Sequence, residues 1–481
     1  MKIAFVFPVT DAYSKKTPLG LPASINLGIS YISSVLELSG HSTRLFALTP
    51  GNGNRVERSL DNFGPELICF TAVFSSYYLI KDFAGVYKER HPDIFLLAGG
   101  CHVSLNPEEV IADSFDSICI GEGEYPTLEL TDQLEQGLSP SGIKNLWIKN
   151  GIDIEKNPTR PFLEDLNELP FPNRRIWKEW IRYPERLPSI LLSRGCPFRC
   201  TYCCNHKLVR LAGGRYLRLR SPQNVLDELK EYLTEHPQTK EMYFETETIG
   251  IDLDYVLQLC SSLEQFNEER EQPLAFGANL RITPNMDYES LFKALHRGNF
   301  KFVNIGLESG SDKVRRETLN RIYSNDDIIK ATMFAKKYGI RINLNVLVGL
   351  PGETLKDFQQ TIEVTRKIQP GSIRISMFYP YPGTELASIC EEKGLLDERM
   401  DMQNVRERVE PILNLPDFSK KQVLRSYIWF DYNVFKGHKP LRNILIRVLL
   451  RKVMTSPPLV KCFRFLLNIP LFMDLKNKLV D

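Results

Sequence analysis

Short apolar runs separated by stretches of helical periodicity fill residues 1–150. The runs Lys2–Pro8, Thr43–Leu48, Glu66–Ala72, Ile94–Ala98 and Ser117–Ile120 predict strands. Apolar residues at helical spacing near Ser24–Ser39, Tyr77–Arg90, Pro107–Asp113 and Tyr125–Gln136 predict the helices between them. Strands alternating with helices argue for a Rossmann-like α/β domain, a parallel sheet with helices on both faces. Ligands of such sheets bind at the carboxyl ends of the strands. Those ends carry Gly99-Gly100-Cys101-His102 and Gly121-Glu122-Gly123-Glu124, where glycine allows backbone to approach a ligand closely.

The pattern then breaks. Residues 151–188 hold Pro158, Pro161, Pro170, Pro172, Pro184 and Pro188, as expected of a linker. A second alternation follows over residues 189–385. Its strands are expected at Ser189–Leu192, Glu241–Glu245, Leu274–Ala278, Phe302–Leu307, Ile342–Val348 and Ile373–Phe378. Ser221 before Pro222, Ser324 with Asp327 and Thr354 with Asp357 have the form of helix N-caps, and Gly339 and Gly371 suit helix ends. Six strand–helix units make a partial (β/α)6 barrel of the TIM type, whose chemistry gathers at the carboxyl ends of its strands. There stand the cysteine loop near residue 196, Glu247, Asn279 with Arg281, Glu308, and Gly349-Leu-Pro-Gly-Glu353.

Residues 386–481 are expected to be mainly helical, with a helix at Ser419–Phe435. From Lys436 to Asp481 the chain has ten basic residues and two acidic ones among apolar runs such as Phe463-Arg-Phe-Leu-Leu467. This basic-amphipathic pattern suits helices packed over the barrel and contact with a membrane surface equally.

Composition narrows the class. A length of 481 residues suggests two or three domains, and 43% hydrophobic with 25% charged residues is ordinary for a soluble protein. A net charge of +2 gives no global case for nucleic acid. Met1-Lys-Ile-Ala-Phe-Val-Phe-Pro8 has the form of a first strand rather than a signal peptide, and no window is apolar enough for a membrane span. Ten cysteines in so long a chain do not suggest a disulfide framework, and a reducing, cytoplasmic setting is expected.

The chemistry centres on Cys196, Cys200 and Cys203. Three thiolates at spacings of four and three hold three irons of a four-iron cluster and leave the fourth open for chemistry. Gly195 permits a tight turn and Pro197 stiffens the loop. A zinc site completed by Cys204 or His206 is the competing reading, but no second ligand pair stands nearby and Cys203 and Cys204 are adjacent. Cys204 has no assigned role.

This CxxxCxxC arrangement, with Tyr202 before its last cysteine, resembles the radical S-adenosylmethionine (SAM) superfamily. Leu97–Val103, Ile120–Glu124, Asn304–Asp312, Val348–Thr354 and Pro380–Thr384 extend the likeness over residues 1–385 to its cobalamin-binding-domain branch, the class B methyltransferase-like enzymes. The resemblance implies a [4Fe-4S] cluster on the three cysteines, SAM on the open iron, and cobalamin in the first domain. It implies that Tyr202 contacts adenine, Glu247 the SAM ammonium with Glu245 as competitor, and Glu308 the ribose hydroxyls. Arg281 would meet the SAM carboxylate or form an ordinary salt bridge, and Gly349 and Leu350 would shape the cofactor pocket. Ser75, Gly99, Gly100, Gly121, Glu122 and Gly123 would line the cobalamin site, with His102 either near the corrin or shaping its loop.

Two departures stand out. Glu245-Thr246-Glu247 lacks the glycines of the Gly-Gly-Glu often found there, and Asp11–Lys16 lacks the Asp-x-His-x-x-Gly that would supply a cobalt ligand. A domain that has lost its cobalamin is the competing reading of the second. The implied reaction is methylation of an unactivated carbon of a small-molecule or lipid-like substrate, after hydrogen abstraction by a deoxyadenosyl radical. Oxidative cyclisation or rearrangement without net methylation is the first alternative, and a non-catalytic iron–sulfur or cobalamin sensor the second. An external electron donor such as a flavodoxin or ferredoxin is expected, with no nucleic acid partner and with peripheral membrane contact through the C-terminal region as one outcome.

Overall fold

The computed structural model describes residues 1–10, 12, 14, 16–397, 405–456 and 458–459. Part of Asp11–Lys16 and the end of the basic tail, residues 460–481, lie outside the described residues. The chain forms two compact units, one of residues 1–198 and 204–246, the other of residues 199–203 and 247–481.

The first unit begins with β1 (Lys2–Pro8), α1 (Leu27–Leu38), β2 (Ser42–Leu48), α2 (Gly53–Phe63), β3 (Leu67–Thr71) and α3 (Phe74–Arg90). It continues through β4 (Phe95–Gly99), α4 (Cys101–Leu105), α5 (Pro107–Ile111), β5 (Ser117–Cys119), α6 (Glu124–Glu135), β6 (Leu146–Asn150) and β7 (Asp153–Lys156). The sheet order is β2-β1-β3-β4-β5-β6-β7. The first five strands run parallel, and β6 and β7 are antiparallel. Side chains alternate between two cores, Ala4, Val6, Ile68 and Phe70 on one face and Ile3, Phe5, Leu45 and Leu67 on the other. Chain order reverses at β1, because β2 lies on one side of it and β3 on the other. Such a reversal leaves a crevice at the carboxyl ends of β1 and β3.

The proline-rich stretch expected as a linker is packed rather than loose. Trp177 is fully buried, its ring edge-on to Phe7 and its indole N–H donating to Ser30 Oγ at 2.8 Å. Trp180 donates to the Leu45 carbonyl at 3.1 Å. Prolines break periodicity, but two tryptophans bury enough apolar surface to hold the segment on α1 and β2.

The same unit contains β8 (Ser189–Leu191), β9 (Ser193–Arg194), α7 (Asn205–Leu208), β10 (Arg218–Leu219), α8 (Pro222–Glu235) and β11 (Glu241–Glu245). β8 pairs with β11 in parallel, and β9 with β10 antiparallel. Ser221 caps α8 as its sequence implies, accepting from the Asn224 amide.

The second unit carries α9 (Leu253–Glu268), β12 (Ala275–Leu280), α10 (Tyr288–Arg297), β13 (Phe300–Glu308), α11 (Asn325–Lys337), β14 (Arg341–Val348), α12 (Leu355–Ile368) and β15 (Ser372–Met377). Strands β12 to β15 pair in sequence order, all parallel. Ser324–Asp327 and Thr354–Asp357 form complete capping boxes on α11 and α12. Gly339 follows α11 at φ +69°, but α12 ends at Gln369 (φ +47°), two residues before the expected Gly371. The described part of residues 386–481 is helical as expected, with α13 (Glu385–Glu392), α14 (Lys420–Phe435) and α15 (Leu441–Met454). Phe430 of α14 packs on Phe358 of α12, and the buried Asp431 of α14 pairs with Arg451 and Arg447 of α15.

Candidate functional site

A cavity of about 610 Å³ opens at the carboxyl ends of β1, β3, β4 and β5 in the first unit. Its wall includes Ser75, Gly99, Gly100, Gly121, Glu122 and Gly123, all six residues that the sequence singles out there. Much of the rest is apolar, from Phe5, Phe7, Ile29, Ile32 and Leu97. Gly100 has φ +100°, and a Cβ on it would lie 2.7 Å from Thr71 Oγ1 and 2.9 Å from the Ala72 carbonyl. Only glycine fits that turn without displacing backbone. Cys69 and Cys119 also border the cavity, and burial pushes both thiols up, Cys119 to about 12, so both stay neutral.

Charge on the cavity wall is paired. Arg194 of β9 donates to Glu122 at 3.1 Å and to Glu124 at 2.5 Å, and lies over the Tyr31 ring. Arg218 holds Glu122 from a second side at 2.9 Å, and the Leu163 amide donates to the same carboxylate at 3.0 Å. Burial acts to raise Glu122, but Arg218 and Arg194 outweigh it and hold the carboxyl below its ordinary range. His102 is not part of the wall. It is buried against Tyr77, with ring centroids 4.4 Å apart, and its Nδ1 meets the Asn106 amide. Burial lowers it to about 4, so it is a neutral core histidine.

The cysteine loop leaves β9 through Gly195, at φ +86°, where a Cβ would fall 2.1 Å from the Tyr216 carbonyl. Cys196 belongs to the first unit, as do Cys204 and the buried His206, whereas Cys200 and Cys203 belong to the second. The Cys203 amide donates to the Cys200 carbonyl at 3.1 Å. Arg281 Nη1, at the end of β12, lies 2.5 Å from Cys200 Sγ. Among the described residues no three His, Cys, Asp or Glu side chains are gathered as a metal cage. The fit to a cluster rests on the donor set itself, three cysteines within eight positions of one glycine-hinged loop.

Within the second unit the Tyr202 hydroxyl lies 3.1 Å from Glu308 Oε1. Arg321 ties the two together, reaching Tyr202 Oη at 2.7 Å, Glu308 Oε1 at 3.2 Å and the Gly306 carbonyl at 2.7 Å. Glu308 is buried at φ +58°, where the register of β13 against β14 slips. That bulge turns the last residue of β13 out of the strand pattern. Gly306 makes room for it, since a Cβ there would lie 2.2 Å from Glu308 Oε1. Burial raises the Glu308 carboxyl, and the cations Arg321 and Arg281 act against that. Burial alone would lower Arg321, but Tyr202, Tyr323 and Glu308 hold it firmly charged.

Sequence reasoning did not find Arg321 or Tyr323, whose hydroxyl donates to the Leu307 carbonyl at 2.7 Å. They follow a π-helical turn at Val314–Thr318 and match no motif. The available signal was two long polar side chains just ahead of the Ser324 cap.

Glu247 is exposed, just past β11, and Glu245 is half-buried on that strand. The amides of Gly349 and Leu350 donate to Glu353 Oε2 at 2.8 and 3.2 Å, so their turn is satisfied internally. Leu350 is fully buried.

Residues 190–365 match the family model described as the radical SAM superfamily, and residues 23–131 match that of the B12 binding domain. A Pyrococcus horikoshii protein described as an uncharacterized methyltransferase is 26% identical over 469 residues, covering 94% of this chain and 98% of its own. The anaerobic magnesium-protoporphyrin IX monomethyl ester cyclase of Rubrivivax gelatinosus is 24% identical over 427 residues, covering 85% of this chain and 73% of its own. The structure of the cobalamin-dependent SAM radical enzyme OxsB, with aqua-cobalamin and SAM bound, is 16% identical. It superposes with a TM-score of 0.70 over 97% of this chain and 75% of that one. The fold is therefore shared with OxsB.

Proposed function

We propose that this chain, a radical SAM enzyme with an N-terminal B12 binding domain, methylates an unactivated carbon of a small-molecule or lipid-like substrate. The observation that carries this reading is the cavity of about 610 Å³ at the switch point of the first sheet, in a chain that also holds a three-cysteine loop. When bound, the cluster with SAM supplies a hydrogen-abstracting radical, and cobalamin supplies the methyl group.

The chain's own residues then have separable tasks. Cys196, Cys200 and Cys203 would supply three thiolates, and Arg281 donates to the sulfur of Cys200. Glu308 and Tyr202 present a carboxylate and an aromatic hydroxyl, held by Arg321, to the hydroxyl-rich adenosyl part of SAM. Glu247, at a strand end, offers a carboxylate for the SAM ammonium. Gly99, Gly100, Gly121 and Gly123 allow a broad flat ligand to approach backbone, and apolar walls exclude water from it. His102 is neutral and lies outside this wall, so it would not hold cobalamin there, and Cys69 and Cys119 would meet the bound group as neutral thiols. A flavodoxin or ferredoxin in the cytoplasm would supply the electron.

The anaerobically reconstituted protein, given SAM and reductant, should form 5′-deoxyadenosine and pass an isotopically labelled methyl group to product. It should also retain a corrin spectrum after incubation with cobalamin and desalting. Absence of 5′-deoxyadenosine above a Cys200→Ala control, across varied substrates, would favour a sensor instead. Turnover without label in the product would favour the second reading, oxidative ring formation without net methylation, which the named activity of the Rubrivivax relative supports.

A further inference from the structure

Among the described residues, α15 is packed on one side only. Ile444 and Val448 are buried, and Arg447 and Arg451 reach the buried Asp431 of α14. One helical turn apart on another face, Leu441, Leu445 and Leu449 are 55%, 45% and 61% exposed. Steps of four residues keep these leucines in one stripe. Arg442 and Lys452, both exposed, border it. From Lys436 to Leu459 the chain carries six cations and no acidic residue.

We propose that this face of α15 docks, in the plane of the interface, on a membrane surface bearing anionic lipids. An apolar stripe between basic side chains is the pattern of a helix that lies on a bilayer, and no described helix is long and apolar enough to cross one. Charge decides the occupant. A second copy of this chain would bring the same exposed cations, Arg442 and Lys452, to the contact, which like-charge repulsion opposes. Residues 460–481 add four basic and two acidic residues, a net charge of the same sign. Anionic headgroups complement it, at about 1 kcal/mol per basic residue near the surface. The inference stands apart from the reaction, but it bears on substrate class, because an enzyme held at a bilayer meets lipid-like carbon.

The test is flotation of the full chain with phosphatidylcholine vesicles, with and without phosphatidylglycerol. Phosphatidylglycerol should raise the bound fraction about tenfold, as expected from one or two engaged cations, and high salt should reverse the gain. Leu445→Glu with Leu449→Glu should abolish binding while circular dichroism and 5′-deoxyadenosine formation persist. Arg442→Glu with Lys452→Glu should remove only the preference for anionic lipid. Equal binding to both vesicle types, or none to either, overturns the proposal. So does a dimer in light scattering that the leucine variant dissociates, since a second copy would then be the occupant. Loss of 5′-deoxyadenosine in the unaltered protein, with lipid binding intact, would count against the proposed reaction alone.

Discussion

The two units build their sites by opposite means. The first makes room: glycines at strand ends, apolar walls, thiols kept neutral by burial, and carboxylates already neutralised by Arg194 and Arg218. The second concentrates charge: Glu308 and Arg321 are buried beside the half-buried Tyr202, with Arg281 at the sulfur of Cys200. A cavity suits a large ligand recognised by shape. Buried, paired charge suits a small polar ligand recognised by orientation, because unpaired charge in such a place is costly. Substitutions in the two places should therefore fail differently.

The largest effect is expected in the second site. Cys200→Ala should reduce iron content and bring 5′-deoxyadenosine to background, while corrin retention by the first unit survives. If corrin is lost as well, the two sites are not separable. Next, Arg321→Met removes the cation that holds Glu308 and Tyr202. Breaking a buried pair costs about 3–5 kcal/mol, so thermal unfolding should shift down markedly, with weaker SAM binding in equilibrium dialysis. A variant as stable as the parent would show that the charges are not coupled. In the first site, Gly100→Ala forces a side chain into a left-handed turn against Thr71 and Ala72. Strain of about 1–3 kcal/mol there predicts corrinoid binding weakened about ten- to a hundredfold, with 5′-deoxyadenosine formation retained.

The smallest effect concerns Glu353. Burial pushes its carboxyl up to about 8, with the Gly349 and Leu350 amides pulling the other way. The folded chain keeps a proton that the unfolded chain releases near the ordinary carboxylate range. Its stability is therefore fully present in mild acid and falls as pH rises toward about 8. Glu353→Gln should flatten that slope in melting curves recorded between pH 5 and 9.

What the sequence made legible follows the same division. Strand positions in both units were readable because buried parallel strands are continuous apolar runs, and two helix caps because Ser or Thr with Asp three residues on is a local signal, with Ser221 before Pro222 marking a third. α2 was not found, since only Val56 and Leu60 are buried along it. β7 was not found, since its side chains are largely exposed and leave no alternation. The cavity wall was legible because glycines at strand ends have a geometric reason to be there. Arg321 was not, because its role arises from a bulge and a π-helical turn that bring it back to Glu308, and neither leaves a mark in a linear pattern. The packing of Trp177 was hidden by the surrounding prolines, which signal a break in regular structure but say nothing about burial.

The way the chain passes between the units constrains how this molecule can be divided. It crosses from one to the other after residue 198, returns after 203, and crosses again after 246. No single cut separates them, and a protease would need three. A fragment beginning at residue 189 carries part of the first unit, and one ending at 188 lacks β8 to β11. Recombination at one crossover point cannot exchange either unit intact between relatives. The cysteine loop itself is cut by two of these crossings, so the ligand set cannot be inherited as a cassette with either half.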